Sequence, residues 1–267
     1  MFILIESSED LIFLNKELLK CPYLGIDSEF RRTNKDNMKL ALLQVNDSTE
    51  IYLIDCLKIR EPNTICSFLS SPDVTKIFHS CKEDNEAIYS WTNQKVHNIY
   101  DTQIANALLG GSFSLSYQDL VKEKFGLKVS KDETRTNWLR RPLSESQLNY
   151  AASDVFFLID LYKQQMEKLI EENKLSWLEE ELNDPPPSDG FEEVNSETKF
   201  KITKKEEKEI LGEFDLMIKD FSRAKNINPT LFFSKQNQKN LLRNTLALGV
   251  NNALERITKW RSNLIQV

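Results

Sequence analysis

Histidine and cysteine are scarce in this chain, and their scarcity narrows the chemistry. Only two histidines, His79 and His97, occur among 267 residues, so a metal site must be built mainly from carboxylates. The four cysteines (Cys21, Cys56, Cys66, Cys81) are widely spaced and form no CxxC pair. That argues against a zinc site and fits reduced thiols in a cytoplasmic compartment. No apolar run reaches the roughly 18 residues of a membrane helix, so no membrane partner is expected. The N-terminus, Met1-Phe2-Ile3-Leu4-Ile5-Glu6, lacks a basic lead-in and reads as a first strand, not a signal peptide. No fixed-period repeat is present.

Charge is abundant but unevenly spread. The net charge of -6 looks wrong for a protein that meets nucleic acid. Yet from Lys199 to Val267 there are 14 Lys/Arg against 7 Asp/Glu, and the remainder carries 21 against 34. Such asymmetry suggests a catalytic or scaffold domain joined to a basic accessory domain. Between them lies an acidic stretch with Pro185-Pro186-Pro187-Ser188-Asp189-Gly190, which reads as a linker. The expected division is therefore a main domain over 1–177, a linker over 178–203 and a helical domain over 204–267.

Patterning gives the main domain an α/β character. Met1–Ile5, Tyr23–Phe30, Leu40–Val45, Glu50–Ile54, Val74–His79 and Val96–Tyr100 read as strands, with a hairpin turn at Asn46-Asp47-Ser48. Helices are expected at Ser8–Leu19, Asn63–Leu69, Glu83–Trp91, Thr102–Leu109 and Ser116–Phe125. Lys128–Pro142 reads as an irregular segment, and one long helix is expected from Ser144 to about Glu171. Together these imply a mixed sheet flanked by helices. Beyond the linker, Lys204–Lys225, Lys235–Leu248 and Asn251–Leu264 carry helical patterns.

Five residues stand out by spacing. Asp27 and Glu29 are two apart in a strand pattern, so they share one face. Asp84 follows an apolar strand, at the start of a helix. Tyr150 and Asp154 are four apart on a helix and project together. Singly, each has a plainer reading: a solvent-facing pair, a dipole-stabilised surface Asp, a core Tyr beside an exposed Asp. As an ordered set, four acids can converge on a pair of divalent cations, and hard oxygen ligands suit Mg²⁺ or Mn²⁺. The chemistry would be in-line displacement at phosphorus, with the Tyr150 hydroxyl placed to orient the attacking water.

Six blocks then carry a family resemblance. They are GIDSEFRRTN at Gly25–Asn34, KLALLQV at Lys39–Val45, FHSCKEDNEAI at Phe78–Ile88, YDTQIANALLG at Tyr100–Gly110, SYQDLV at Ser116–Val121, and KDETRTNWLRRPLSESQLNYAASDVFFL at Lys131–Leu158. In order and spacing the chain resembles ribonuclease D, in the tyrosine-bearing branch of the DEDD 3′-5′ exonucleases, over Phe2 to Lys174. The resemblance implies an RNase H-like exonuclease fold plus a small all-α C-terminal domain, and two-metal hydrolysis. It implies metal-ligand roles for Asp27, Glu29, Asp84 and Asp154, and a water-orienting role for Tyr150. By the same resemblance His79, Gln103, Lys131, Arg135 and Trp138 are expected near the substrate. The C-terminal region resembles a reduced HRDC domain, whose Lys219, Arg223, Lys225, Lys235, Lys239 and Arg243 could neutralise phosphates.

The implied activity is a 3′-5′ exoribonuclease that trims RNA with a free 3′ end, such as tRNA precursors, and releases nucleoside 5′-monophosphates. Two alternatives stay open. One is a DNA exonuclease of the same mechanism, acting on single-stranded DNA; the other is a non-catalytic RNA-binding protein. The second predicts a broken metal position, and none of the four is broken. No obligate protein partner is evident.

Overall fold

The computed structural model describes residues 2–34, 37–129, 133, 136–183 and 200–266. It forms two compact units, Met1–Gln103 with Leu115–Gln164, and Ile104–Ser114 with Gln165–Val267.

In the first unit the strands are β1 (Ile3–Ile5), β2 (Tyr23–Asn34), β3 (Asn37–Asn46), β4 (Ile51–Asp55), β5 (Thr75–Phe78) and β6 (Ile99–Asp101). They form a six-stranded mixed sheet in the order β1-β4-β3-β2-β5-β6. Strands β2, β3 and β4 pair antiparallel, while β5 and β6 run parallel to β2, and β1 runs parallel to β4. The expected mixed sheet is thus observed, but β2 and β3 run further than their apolar stretches suggest. Past Phe30 the ribbon continues on exposed Arg31, Arg32, Thr33 and Asn34, where main-chain pairing rather than burial sustains it.

One face of the sheet is covered by α1 (Ser8–Leu18), α2 (Pro62–Ile65), α3 (Ser67–Ser70) and α4 (Lys82–Thr92). Leu11, Leu18, Leu24, Ile26, Leu43, Val45, Phe68 and Ile88 are fully buried there. After α5 (Thr102–Leu108) and α6 (Tyr117–Phe125), helix α7 (Glu145–Phe156) packs on β2, β3 and β4. Ser144 and Gln147 form a reciprocal capping box that starts α7. The expected single helix from Ser144 to Glu171 is broken at Phe157, and α8 (Leu158–Glu171) follows. Phe157 is spent elsewhere, its N–H donating to the Tyr117 hydroxyl at 3.0 Å. Gly25 lets β2 lie close to this break. A Cβ there would meet Leu158 Cβ at 3.1 Å and the Val155 carbonyl at 3.3 Å.

The second unit has other bounds than the expected helical domain over 204–267. Segment Leu175–Asn183, assigned mainly to the linker, is helix α9. It is joined to α10 (Lys204–Ala224), α11 (Pro229–Phe232), α12 (Lys235–Leu248), α13 (Val250–Leu254) and α14 (Lys259–Ile265). The expected last helix, Asn251–Leu264, is therefore two pieces. Contacts remote in sequence explain the grouping. Lys174 Nζ donates to the carbonyls of Leu108 and Asn226, both at 2.8 Å. Trp177 stacks on Trp260 at 5.2 Å, and Arg261 is paired with Glu181 in the interior. The basic-aromatic Lys259-Trp260-Arg261 is thus largely a packing element, with Trp260 and Arg261 both buried. Of the expected linker, residues 184–199 lie outside the described residues. Among those described, no helix is long and apolar enough to cross a membrane.

Candidate active site

The carboxyl ends of parallel strands are where open α/β sheets place their ligand sites. Here β2 carries Asp27 and Glu29 and β5 leads into α4 with Asp84, while α7 brings Asp154 across the sheet. Alternation along β2 divides its residues between the two faces. Asp27 and Glu29 meet Asp154 of α7: one carboxylate oxygen from each lies within 4.8 Å of the others. Ser28, between them, points to the opposite side and donates to Asp84 Oδ1 at 2.5 Å. Asp84 lies outside the tight triplet but close enough to raise the proton affinity of Asp27.

The electrostatics are those of crowded acids. Burial, then the charges of Asp84, Asp154 and Glu29, hold the Asp27 carboxyl well above the usual carboxylate range. Burial and the charges of Asp154 and Asp84 push Glu29 up to about 9. Asp154 is raised by burial to about 7, although hydrogen bonds from Tyr150 and Gln118 favour its ionised form. Asp84 is raised by burial to about 6, against the Ser28 hydrogen bond. Several carboxylates facing one space repel unless a cation or protons intervene.

The surrounding side chains hold this arrangement. The Tyr150 hydroxyl donates to Asp154, and Gln118 Nε2 donates to Asp154 Oδ1 at 3.2 Å. Tyr150 is buried, its ring 6.1 Å from that of Trp138. Asp101, at the end of β6, accepts from Gln103 N–H at the start of α5 and also from Ser80 and Cys81 N–H, at 2.8, 3.0 and 2.9 Å. It thereby fixes the turn before α4, where Ser80 has a left-handed φ of 65°.

Three of the expected substrate-side residues have internal partners or surroundings. His79 approaches Thr102 Oγ1 through Nδ1 and the Leu115 carbonyl through Nε2, both at 2.9 Å. Both ring nitrogens are thus spent inside the protein, which differs from the expected substrate contact. Gln103 Nε2 donates to the same Leu115 carbonyl at 3.2 Å. Trp138 is buried, and among the described residues its indole N–H has no hydrogen-bond partner. Lys131 and Arg135 lie outside the described residues. Sequence reasoning missed Ser28 and Gln118 at the acids. The first sits inside the D-x-E pattern and the second inside SYQDLV, but neither spacing reveals its distant partner.

An RNase H-like fold with carboxylates gathered from β2, the first turn of α4 and α7 defines a class, and comparison with known proteins gives it a family. The model of the 3′-5′ exonuclease family matches residues 2–171, and the chain belongs to that family. Within it, the resemblance to ribonuclease D holds. Ribonuclease D of Shewanella sp. (strain ANA-3) is 37% identical over 181 residues, covering 68% of this chain and 47% of that protein. The chain thus spans about half the length of the curated relatives it matches. The crystal structure of Escherichia coli RNase D, an exoribonuclease involved in structured RNA processing, has a TM-score of 0.65 at 23% identity. That match covers 100% of this chain and 74% of the other. Brucella melitensis NrnC with bound Mg²⁺ gives a TM-score of 0.55 at 21% identity, covering 67% and 87%. These structures share the fold.

Proposed function

We propose that this chain is a metal-dependent 3′-5′ exoribonuclease that trims RNA 3′ ends and releases nucleoside 5′-monophosphates. One observation carries the reading: oxygens of Asp27, Glu29 and Asp154 converge within 4.8 Å, and Tyr150 donates its hydroxyl to the third. The donor set fits hard divalent cations, because it offers carboxylate oxygens with proton affinities raised by burial and, at Asp27 and Glu29, by the neighbouring acids as well. Asp27, Glu29, Asp84 and Asp154 would hold two such ions, Mg²⁺ or Mn²⁺. When bound, ions of this kind supply charge to activate water and to stabilise the leaving oxygen of an in-line displacement.

The chain's own groups do the rest. Tyr150, fixed by Asp154 and flanked by Trp138, presents a hydroxyl that orients the attacking water. Gln118 holds Asp154, and Ser28 holds Asp84, so both acids stay aimed without reorganising. Support for RNA comes from the relatives: the matched proteins are ribonucleases D, and the E. coli structure is described as that of an exoribonuclease. Precursor tRNA is the substrate class this reading favours, in a cytoplasmic setting. The helices beyond residue 204 would serve as a reduced HRDC-like accessory domain. There Lys219 and Lys235 are engaged with Asp215, and Arg223 with Asp220, so Lys225 and Lys239 are the stronger phosphate candidates.

The test is a 5′-labelled single-stranded RNA with a free 3′ end, incubated with Mn²⁺ or Mg²⁺. A ladder shortening from the 3′ end, absent in EDTA and in Asp154→Asn, is expected. No ladder with either metal, despite tight RNA binding, would favour the binding-protein alternative. A matched DNA oligonucleotide separates RNA from DNA preference.

A further inference from the structure

Past the acids, two cations face each other across the β2–β3 ribbon. The register pairs Arg31 directly with Lys39, and both side chains are exposed. Directly opposed residues have Cβ atoms about 4.5–5.5 Å apart, and like charges there destabilise the pairing. Among the described residues neither cation forms an ion pair, whereas the adjacent Arg32 is bound to Glu86 at 2.5 Å and Glu83 at 3.4 Å. The contrast follows from alternation. Ser28 and Arg32 point toward α4, where their partners lie, so Arg31 falls on the face of Asp27 and Glu29. It stands two residues, about 6.6 Å of strand, beyond Glu29.

An unbalanced cation pair beside a crowded acid cluster makes physical sense if a polyanion must reach those acids. We propose that Arg31 and Lys39 form a seat for a backbone phosphate of single-stranded RNA whose 3′ end lies at the acid cluster. The seat rests on the exonuclease reading above and extends it to a second contact point on the substrate. Phosphate contacts position a strand without reading its bases. A seat of this kind therefore holds each successive strand end alike, whatever its sequence. Bound phosphate also relieves the repulsion that the free ribbon carries.

The experiment measures equilibrium binding of a short 5′-labelled single-stranded RNA in EDTA, where no turnover is expected, across a range of salt. Wild type is compared with the Arg31→Gln/Lys39→Gln double variant, and with Arg31→Lys as a charge-preserving control. Losing two phosphate contacts should make the slope of log K against log salt shallower by about 1.4. Over a fourfold rise in salt, the wild type then loses about sevenfold more affinity than the double variant. Thermal unfolding of the double variant should be no lower than wild type, because a repulsion has been removed. An unchanged slope with RNA still bound overturns the seat and leaves the nuclease reading standing. Failure of the wild type to bind RNA in EDTA overturns the seat, while the nuclease reading falls only if the ladder assay with Mn²⁺ or Mg²⁺ also fails.

Discussion

Arg141 grips Asp55 with two parallel N–H groups along one edge of its guanidinium, Nε 2.6 Å from Oδ2 and Nη2 2.7 Å from Oδ1. Its other N–H groups donate to the carbonyls of Ala41, Trp138 and Arg140, at 2.8, 2.7 and 2.9 Å. All five donors of the side chain are therefore placed. The fork ties the segment before α7 to strands β3 and β4, and through it secures Trp138 beside Tyr150. Arg141→Ala would strand the Asp55 carboxylate, which is almost fully buried. A loss of about 3–5 kcal/mol is expected in urea unfolding. A loss below about 1 kcal/mol would show that solvent reaches the pair.

Asp27→Asn should abolish metal-dependent turnover while raising, not lowering, the melting temperature of the metal-free protein. The substitution removes one charge from a repelling group that burial already disfavours. Differential scanning fluorimetry in EDTA, beside the RNA ladder assay, checks both halves. Appreciable Mg²⁺-dependent activity in this variant would remove Asp27 from the ligand set.

Tyr150→Phe deletes one hydroxyl and keeps the ring against Trp138. Turnover should fall by about 100-fold with little change in RNA affinity, the scale on which misplaced reacting groups lose rate. Single-turnover kinetics and equilibrium binding separate the two. Weakened binding with an unaltered rate would make the tyrosine a packing residue.

The acid cluster also sets a pH dependence. Asp84, Asp154 and Glu29 have folded-state values raised to about 6, 7 and 9. A raised carboxyl contributes stability that is full below its unfolded value and is lost as pH rises through the folded one. Cations that hold the ionised forms oppose that loss. The gain in melting temperature on adding Mg²⁺ or Mn²⁺ should therefore be larger near pH 8 than near pH 5. An equal gain at both would mean that the metal binds elsewhere.

Much of the site could be read from local periodicity. D-x-E places Asp27 and Glu29 on one strand face, and Y-x-x-x-D places Tyr150 beside Asp154 on a helix; both periods are intrinsic to the backbone. What escaped reading is what the fold joins from afar. Asp55 and Arg141 are 86 positions apart, and the carbonyl that occupies His79 belongs to Leu115. The break at Phe157 hides in the apolar run Val155–Ile159, because the hydroxyl that draws its N–H aside comes from Tyr117. Helix α9 reads as acidic linker because its reason for ordering, Glu181 against Arg261, lies 80 residues on.

Because Ser28 serves one face of β2 and its neighbours Asp27 and Glu29 the other, the strand works as a rivet through the sheet. Its side chains change sides with every residue, so a slip of one position would turn both acids toward α4 and leave a hydroxyl in their place. This stretch should accordingly tolerate many substitutions far better than a single inserted or deleted residue upstream of Asp27. Deep mutational scanning that includes one-residue insertions would show that difference as a sharp boundary at Tyr23, where the paired part of the strand begins.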